Sequence, residues 1–198
     1  MMYKNYIWDL GGTLLDNYES SSHAFAAALW QARERVILHD QAYQALKIST
    51  DYAIDKYARD IPDFLTLYRE LEAKELEKPL LFDGAKEVLQ VIVDNGRSNY
   101  MISHRNNQVL DILKKAGISQ YFTEIVTSDN GFSRKPAPDS IQYLINKYKL
   151  ELNQTAMVGD REIDVEAGNS AGVQTIFFDS QLTSEKANQN IKNLKELL

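Results

Sequence analysis

The residues best suited to chemistry in this sequence are charged or hydroxyl side chains that directly follow short apolar segments. Asp9 follows Tyr-Ile-Trp, Ser103 follows Tyr-Met-Ile, and Asp160 follows Ala-Met-Val-Gly. Asp164 comes one helical turn after Asp160, and Lys135 lies in a loop beside two prolines. If the apolar segments are parallel strands, these side chains meet at the edge of the sheet where ligands bind in such folds.

Three carboxylates gathered in one place imply a compensating cation, because neighbouring like charges raise one another's pKa. Carboxylate oxygens with open water positions are what magnesium prefers. Lys135 would add an ammonium, with Pro136 keeping its backbone extended. Ser103 would add a hydroxyl together with backbone amides at the start of a helix. Such a site suits phosphoryl transfer, with Asp9 as the nucleophile that forms an aspartyl phosphate.

The elements that would position these groups alternate strand and helix over most of the chain. Five short strands that are apolar throughout predict a parallel sheet covered on both faces, a three-layer Rossmann-like α/β fold. A last helix is expected from the apolar positions Ile191, Leu194 and Leu198. The predicted strands are 6–8, 100–102, 124–127, 156–158 and 173–178, and the helices between them are 84–95, 106–116, 138–149 and 160–172.

The stretch before the second strand has a different character. It is rich in Ala, Leu, Tyr, Glu and Lys, and no glycine occurs between Gly12 and Gly84. Apolar residues recur at helical spacing, and Asp40 and Asp51 would cap two short helices. Tyr43, Tyr52, Tyr57 and Tyr68 are expected to pack in its core or at an interface. An all-helical insertion is therefore predicted at residues 18–80, within an α/β domain of residues 1–17 and 81–198.

Composition excludes several classes of function. The chain has 22 Lys and Arg against 28 Asp and Glu, a net charge of −6, so a sequence-independent nucleic-acid binder is not expected. It has no cysteine, which removes disulfides, thiolate metal sites and cysteine nucleophiles. It has no apolar run of membrane-spanning length and no signal-peptide pattern, so a soluble cytoplasmic protein that does not bind membranes is expected. The oligomeric state is not readable from these features.

Four motifs together resemble those of the haloacid dehalogenase-like hydrolase superfamily, phosphatase and phosphonatase type with a small helical cap. They are WDLGGT around Asp9, ISHRN around Ser103, RKPAPD around Lys135 and GDREID from Gly159 to Asp164. The resemblance covers essentially the whole chain, and the motifs follow one another in the family's order. It implies that Asp9, Asp160 and the backbone carbonyl of Gly11 bind magnesium, and that Asp164 supports the metal. Ser103 would hold the phosphate, and Lys135 would offset the nucleophile's charge.

Other residues of these motifs are expected around the substrate. Gly11, Gly12 and Thr13 would surround the phosphate, and His104 and Arg105 would lie near the entrance. An exposed loop histidine is the simpler interpretation of His104. Arginine forks match carboxylates and phosphates, so Arg105 and Arg134 are candidates to recognise a second negative group on the substrate.

Gly11 is a departure from the family's pattern. The family's phosphatases carry a second aspartate two residues after the nucleophile, which acts as general acid and base, and here that position is Gly11. Losing such a group costs roughly 10²–10⁴-fold in rate, most severely for ester leaving groups that need a proton. The preferred interpretation is a magnesium-dependent hydrolase of a small phosphorylated metabolite that is slow, uses another acid or acts on an activated phosphate.

Three alternatives stay open. A phosphonoacetaldehyde hydrolase would also lack this aspartate and would use a cap lysine as a Schiff base, for which Lys47 and Lys56 are candidates. A catalytically weakened relative would bind an anion or a partner protein. The dehalogenase branch ranks last, because it does not use the metal-binding pattern seen in GDREID.

Overall fold

The α/β unit of the protein is built on a parallel sheet. The structure is a computed structural model that describes residues 3–198. The strands found there are β1 (Asn5–Trp8), β2 (Ser98–Ile102), β3 (Phe122–Val126), β4 (Thr155–Gly159), β5 (Gln174–Phe178) and β6 (Gln189–Ile191). They run in the order β3-β2-β1-β4-β5-β6, and every neighbouring pair is parallel. The motif-bearing strands β1, β2 and β4 are therefore adjacent at the centre of the sheet.

The α-helices of the described residues fall into two groups. Those of the helical unit are α1 (Asn17–Arg33), α2 (His39–Ile48), α3 (Thr50–Tyr57) and α4 (Phe64–Glu75). Those of the α/β unit are α5 (Ala85–Asp94), α6 (Gln108–Lys115), α7 (Asp139–Tyr148) and α8 (Glu162–Ala171).

The central strands are apolar throughout because the sheet is buried on both faces. Tyr6 and Trp8 belong to the hydrophobic cluster on one face, while Ile7 between them belongs to the cluster on the other. The Tyr6 and Trp8 rings stack at 5.8 Å, and the Trp8 indole donates a 2.9 Å hydrogen bond to Asn99. This alternation is the one expected when successive side chains point to opposite faces of a sheet. The predicted three-layer Rossmann-like fold is confirmed.

The predicted C-terminal helix is wrong. Ile191 ends β6, which pairs with Ile176–Phe178 of β5, and Leu194 begins a short 3₁₀ turn, Leu194–Leu197. Leu198, the third member of the predicted stripe, is 45% exposed. The spacing suggested a helix, but an open edge of β5 offered backbone hydrogen bonds that a strand could satisfy. The sheet consequently has six strands in the described residues instead of five.

The helical unit comprises Asp16–Leu80, and the α/β unit comprises residues 3–15 and Leu81–Leu198. The helical unit thus begins two residues before the boundary expected from the sequence. Its core contains mainly aromatic side chains and small alanine side chains. Phe25 meets Phe64 edge to face at 5.0 Å and Tyr68 at 5.4 Å. Tyr68 is buried as expected, whereas Tyr52 is 40% exposed.

The caps predicted for the two short helices are wrong. Ser49 caps α3 by accepting a hydrogen bond from the Tyr52 amide, and α2 begins after Leu38. Asp40 and Asp51 each lie in the first turn of these helices instead. Acidic residues are favoured there by the helix dipole, which is why the pattern pointed to a helix start at the wrong residue.

None of the helices in residues 3–198 is both long enough and apolar enough to cross a membrane.

Candidate active site

The carboxylates of Asp9, Asp160 and Asp164 form a cluster at the carboxyl ends of β1 and β4. These two strands pair with Trp8 opposite Val158, and the Asp9 amide donates to the Val158 carbonyl at 2.9 Å. Asp164 lies in the first turn of α8. One oxygen from each carboxylate lies within 4.8 Å of the others. Parallel pairing therefore brings together side chains that are about 150 positions apart in the chain.

Lys135 bridges two of these carboxylates. Its Nζ lies 2.5 Å from Asp9 Oδ1 and 2.5 Å from Asp164 Oδ1, and its side chain is only 3% exposed. Burial lowers the pKa of Lys135, but the attraction of Asp9 and Asp164 outweighs that effect and raises it above its ordinary value. The amine is therefore a permanent ammonium, and it offsets charge that would otherwise be unpaired in the interior.

Further hydrogen bonds orient Asp164 and Asp160. The Arg161 amide donates to Asp164 Oδ2 at 3.1 Å, and the buried Thr13 hydroxyl donates to Asp160 Oδ1 at 3.2 Å.

Two glycines of the motifs make room for this arrangement. A β-carbon at Gly159 would collide with the Asp164 side chain, so the glycine that precedes Asp160 leaves the room that Asp164 occupies. Gly12 adopts φ of +87°, which lets the chain turn directly after Asp9. The short motifs thus contain residues for positioning as well as residues for chemistry.

Ser103 follows β2 at the same edge of the sheet, and it is buried. Its backbone amide donates to the Val126 carbonyl at 2.8 Å, and its Oγ accepts from the Arg105 amide at 3.1 Å. The hydroxyl hydrogen is still free to be donated. The expectation that Ser103 begins a helix is wrong, because α6 starts only at Gln108. A turn closed by the Ser103 side chain takes the place of the helix terminus.

His104 joins the Ser103 loop to the Lys135 loop. Its Nε2 accepts a 2.9 Å hydrogen bond from the Lys135 backbone amide, and the side chain is partly buried. Burial, reinforced by the charges of Lys135 and Arg134, lowers the pKa of His104 to about 4. The ring is therefore neutral at neutral pH, which leaves Nε2 able to accept. The interpretation as an exposed loop histidine is wrong, and its adjacency to Ser103 was the only signal in the sequence.

The other candidate residues from the sequence motifs are Gly11, Arg105 and Arg134. Gly11 directly precedes the Gly12 turn and carries no side chain that could donate a proton. Arg105 is partly buried, and Arg134 is exposed. Their recognition of a second negative group stays a prediction.

Lys56 does not have the properties of a Schiff-base lysine. It is exposed, and hydrogen bonding to Tyr57 and Tyr52 raises the pKa of its amine. A nucleophilic lysine needs a lowered pKa so that a neutral amine is available. Lys47 is partly buried on α2. The structure therefore offers no feature that favours the phosphonatase alternative at Lys56.

The donor set at the sheet edge is composed of oxygen. Three carboxylates whose oxygens lie within 4.8 Å of one another match the preference of hard divalent cations for oxygen ligands. The described residues provide no nitrogen or sulfur donor in this group. The residues present consequently fit magnesium better than zinc or copper.

A family model for haloacid dehalogenase-like hydrolases matches residues 6–178. The chain is 27% identical over 182 residues to the phosphoglycolate phosphatase of Vibrio parahaemolyticus, covering 83% of this chain and 78% of that protein. It is 24% identical over 184 residues to the pyrophosphatase PpaX of Oceanobacillus iheyensis, covering 88% and 83%.

Solved structures agree with this family. The crystal structure of a hydrolase from Streptococcus pneumoniae TIGR4 superposes with a TM-score of 0.81 at 50% identity, covering 88% of this chain and 92% of that one. A superfamily hydrolase from Geobacter sulfurreducens shares the fold, with a TM-score of 0.79 at 15% identity over 98% and 94%. The chain therefore belongs to the haloacid dehalogenase-like hydrolase family, which confirms the phosphatase-type hydrolase predicted from its four motifs.

Proposed function

We propose that this protein hydrolyses a small phosphorylated metabolite with the help of magnesium, through a phosphorylated Asp9. The observation that carries the proposal is the Lys135 ammonium 2.5 Å from Asp9 Oδ1, with Asp160 and Asp164 in the same cluster. A carboxylate held by a buried cation, beside further carboxylates, is suited to attack an anionic phosphate once the local charge is neutralised.

Asp9, Asp160 and the Gly11 carbonyl are the groups we assign to hold magnesium, with Asp164 supporting them. When bound, the ion would neutralise phosphate charge and act as a Lewis acid. Thr13 supports this assignment, because its hydrogen bond to Asp160 Oδ1 orients one of these carboxylates.

The chain's own residues would carry the reaction in two steps. Lys135 holds Asp9 Oδ1, and we assign Oδ2 as the atom that attacks phosphorus, forming a new P–O bond as the bond to the leaving group breaks. Ser103 would donate its hydroxyl hydrogen to a phosphate oxygen. Water would then attack phosphorus, releasing inorganic phosphate and restoring the Asp9 carboxylate.

Gly11 limits the proton transfers in both steps. No carboxyl group at this position protonates the leaving oxygen or takes a proton from the attacking water. Leaving groups that depart as stable anions need no such proton, whereas alkoxides do. We therefore propose acyl phosphates and other activated phosphates as the best substrates.

The relatives named phosphoglycolate phosphatase and pyrophosphatase support a small substrate. Phosphoglycolate and pyrophosphate each carry a second acidic group beside the phosphate that is released. Arg105 and Arg134 remain the candidates to recognise that group. A role for the helical unit as a cap, and a cytoplasmic location, also stay predictions.

The test is turnover of acetyl phosphate and p-nitrophenyl phosphate, with and without magnesium, by the wild type and Asp9→Asn. We expect metal-dependent turnover that Asp9→Asn abolishes, and a phosphorylated peptide containing residue 9 in acid-quenched wild type. Asp94→Asn is the matched control, because Asp94 is an exposed aspartate of the same unit at the end of α5.

Two results would contradict the proposal. Turnover that survives in Asp9→Asn would exclude Asp9 as the nucleophile. No turnover of either activated substrate would favour an anion-binding or partner-binding protein with a weakened site.

A further inference from the structure

A second group of potential metal ligands lies in the helical unit, where no motif pointed to function. Glu19 and His23 are on α1, and His39 is the first residue of α2. His23 and His39 are two of the three histidines in the chain. One ligand atom from each of Glu19, His23 and His39 lies within 4.8 Å of the others. We call this group the His–Glu cluster.

The geometry of the cluster directs both imidazoles at one carboxylate. His23 Nε2 lies 3.2 Å from Glu19 Oε1, and His39 Nε2 lies 2.8 Å from Glu19 Oε2. Glu19 and His23 are four positions apart on one helix, a spacing that places side chains on the same face. The two imidazole rings are 5.8 Å apart between centroids. Three potential ligands from two helices therefore converge on one small region.

The other nitrogen of His39 has the environment of a metal-binding histidine. Its Nδ1 lies 3.1 Å from Asp40 Oδ1. Histidines that bind metals through one ring nitrogen usually donate the other N–H to a carboxylate, which fixes the tautomer and orients the ring. Asp40 would hold the proton on Nδ1 and leave the lone pair of Nε2 directed at the cluster. This contact is independent of the convergence of the three ligands.

We propose that the His–Glu cluster binds a divalent transition-metal ion of the zinc class. Two imidazole nitrogens and one carboxylate suit zinc, nickel or copper, whereas magnesium and calcium require oxygen ligands. A His₂Glu set leaves further coordination positions for water or another ligand. The cluster differs in this respect from the all-oxygen group of Asp9, Asp160 and Asp164.

Only small side-chain movements are needed to bind such an ion. Zinc–ligand distances of about 2.0–2.2 Å place tetrahedral ligands roughly 3.4 Å apart. The ligand atoms are already no more than 4.8 Å apart, so closure requires shifts of about 1 Å or less. The side chains of His23 and His39 are 57% and 43% exposed, which leaves them free to make such shifts. A bound ion would link α1 to α2 and stabilise the helical unit.

The test is calorimetric titration of the full-length, metal-stripped protein with zinc chloride in the presence of excess magnesium. We expect a single binding event with a dissociation constant in the micromolar range, together with a rise in the midpoint of thermal unfolding. His23→Ala and His39→Ala should each weaken zinc binding at least about tenfold, and Asp40→Asn should weaken it about tenfold through the loss of orientation. Titration with cobalt should give visible absorption bands of nitrogen-ligated cobalt that both histidine variants lose.

Two control variants distinguish zinc binding at the His–Glu cluster from zinc binding elsewhere on the protein. Glu70→Gln, at an exposed position of α4, should bind zinc as the wild type does. Asp160→Asn should also retain the event, because it alters only the carboxylate cluster at the sheet edge. Circular dichroism of each metal-free variant verifies that the helices are intact. Zinc binding that is absent at micromolar concentrations, or unchanged in the His23→Ala/His39→Ala double variant, would overturn the proposal and leave an ion-pair cluster.

Discussion

The two groups of potential metal ligands differ in how their charge is compensated. In the α/β unit, the buried Asp164 and the partly buried Asp9 lie around the internal ammonium of Lys135. In the helical unit, the two histidines of the His–Glu cluster are exposed and Glu19 is partly buried, and the cations are imidazoles that can lose a proton. A buried charged group needs a permanent internal counter-charge, because an unpaired charge in the interior is costly, whereas solvent can compensate an exposed group.

The largest expected effect is that of Lys135→Met. The substitution leaves the Asp9 and Asp164 carboxylates together without the ammonium between them. Breaking a buried ion pair in this way costs about 3–5 kcal/mol in the free energy of unfolding, measured by urea denaturation. Magnesium should recover part of that loss by supplying another cation.

Lys186→Met is the matched control for this comparison. Its ammonium pairs with Glu166 at 2.7 Å, but both side chains are exposed. We expect little change in stability in this variant. An equal loss in the two variants would show that burial is not what makes the Lys135 contacts strong.

Gly11→Asp should add the proton donor that the carboxylate cluster lacks. We expect kcat on an alkyl phosphate ester to rise by about 10²-fold, with little change on acetyl phosphate, because only the alkoxide needs a proton. Steady-state kinetics on the two substrates measures the effect. Gly11→Asn has nearly the same shape without the proton, so an equal gain in that variant would contradict general acid–base catalysis.

The contributions of His104 in the α/β unit and His39 in the helical unit to stability should change with pH in opposite directions. Folding lowers the pKa of His104 from 6.5 to about 4. Between these two pH values His104 is protonated in the unfolded chain but neutral in the folded protein. The wild type therefore loses stability as pH falls from 6.5 to about 4. His104→Asn should weaken this dependence, as judged by urea midpoints at successive pH values. An unchanged slope in His104→Asn would show that His104 does not stay neutral in the folded state.

His39 supplies the opposite case. Hydrogen bonding to Asp40, and then to Glu19, raises the pKa of His39 above 6.5. The stabilisation it contributes is therefore complete below 6.5 and is lost as pH rises through the raised value. In metal-free buffer, His39→Asn should remove this dependence, and the same series of urea midpoints detects it. A slope of the same sign as that of His104 would contradict the assignment.

The smallest effect is expected for Glu19→Gln in metal-free buffer. The carboxylate is paired with exposed imidazoles, and such surface pairs contribute less than about 1 kcal/mol. Equilibrium unfolding in urea measures the change. A loss as large as that of Lys135→Met would show that the His–Glu cluster is a structural network and would remove the contrast between the two units.

The sequence was most informative where a motif residue directly followed a predicted strand, so that the residue type and the strand pattern pointed to the same site. The apolar strands, the positions that follow them and the four motifs sufficed to predict the α/β fold, its hydrolase family and the residues that converge at the sheet edge. It was less informative where short apolar patterns fit two structures. Ile191 and Leu194 have helical spacing, yet the open edge of β5 recruits Ile191 into a strand.

The amino-acid sequence is sufficient to identify the groups that can take part in the chemistry and their order along the chain, because the patterns that predict strands and helices depend on local residue types. The contacts between residues far apart in the chain are instead set by the tertiary fold. The hydrogen bond from the Lys135 amide to His104, the burial of the Lys135 ammonium and the convergence of His39 on Glu19 depend on how separate segments pack. No local sequence pattern predicts these contacts, because their strength depends on how deeply the groups are buried and how close they lie in the folded protein.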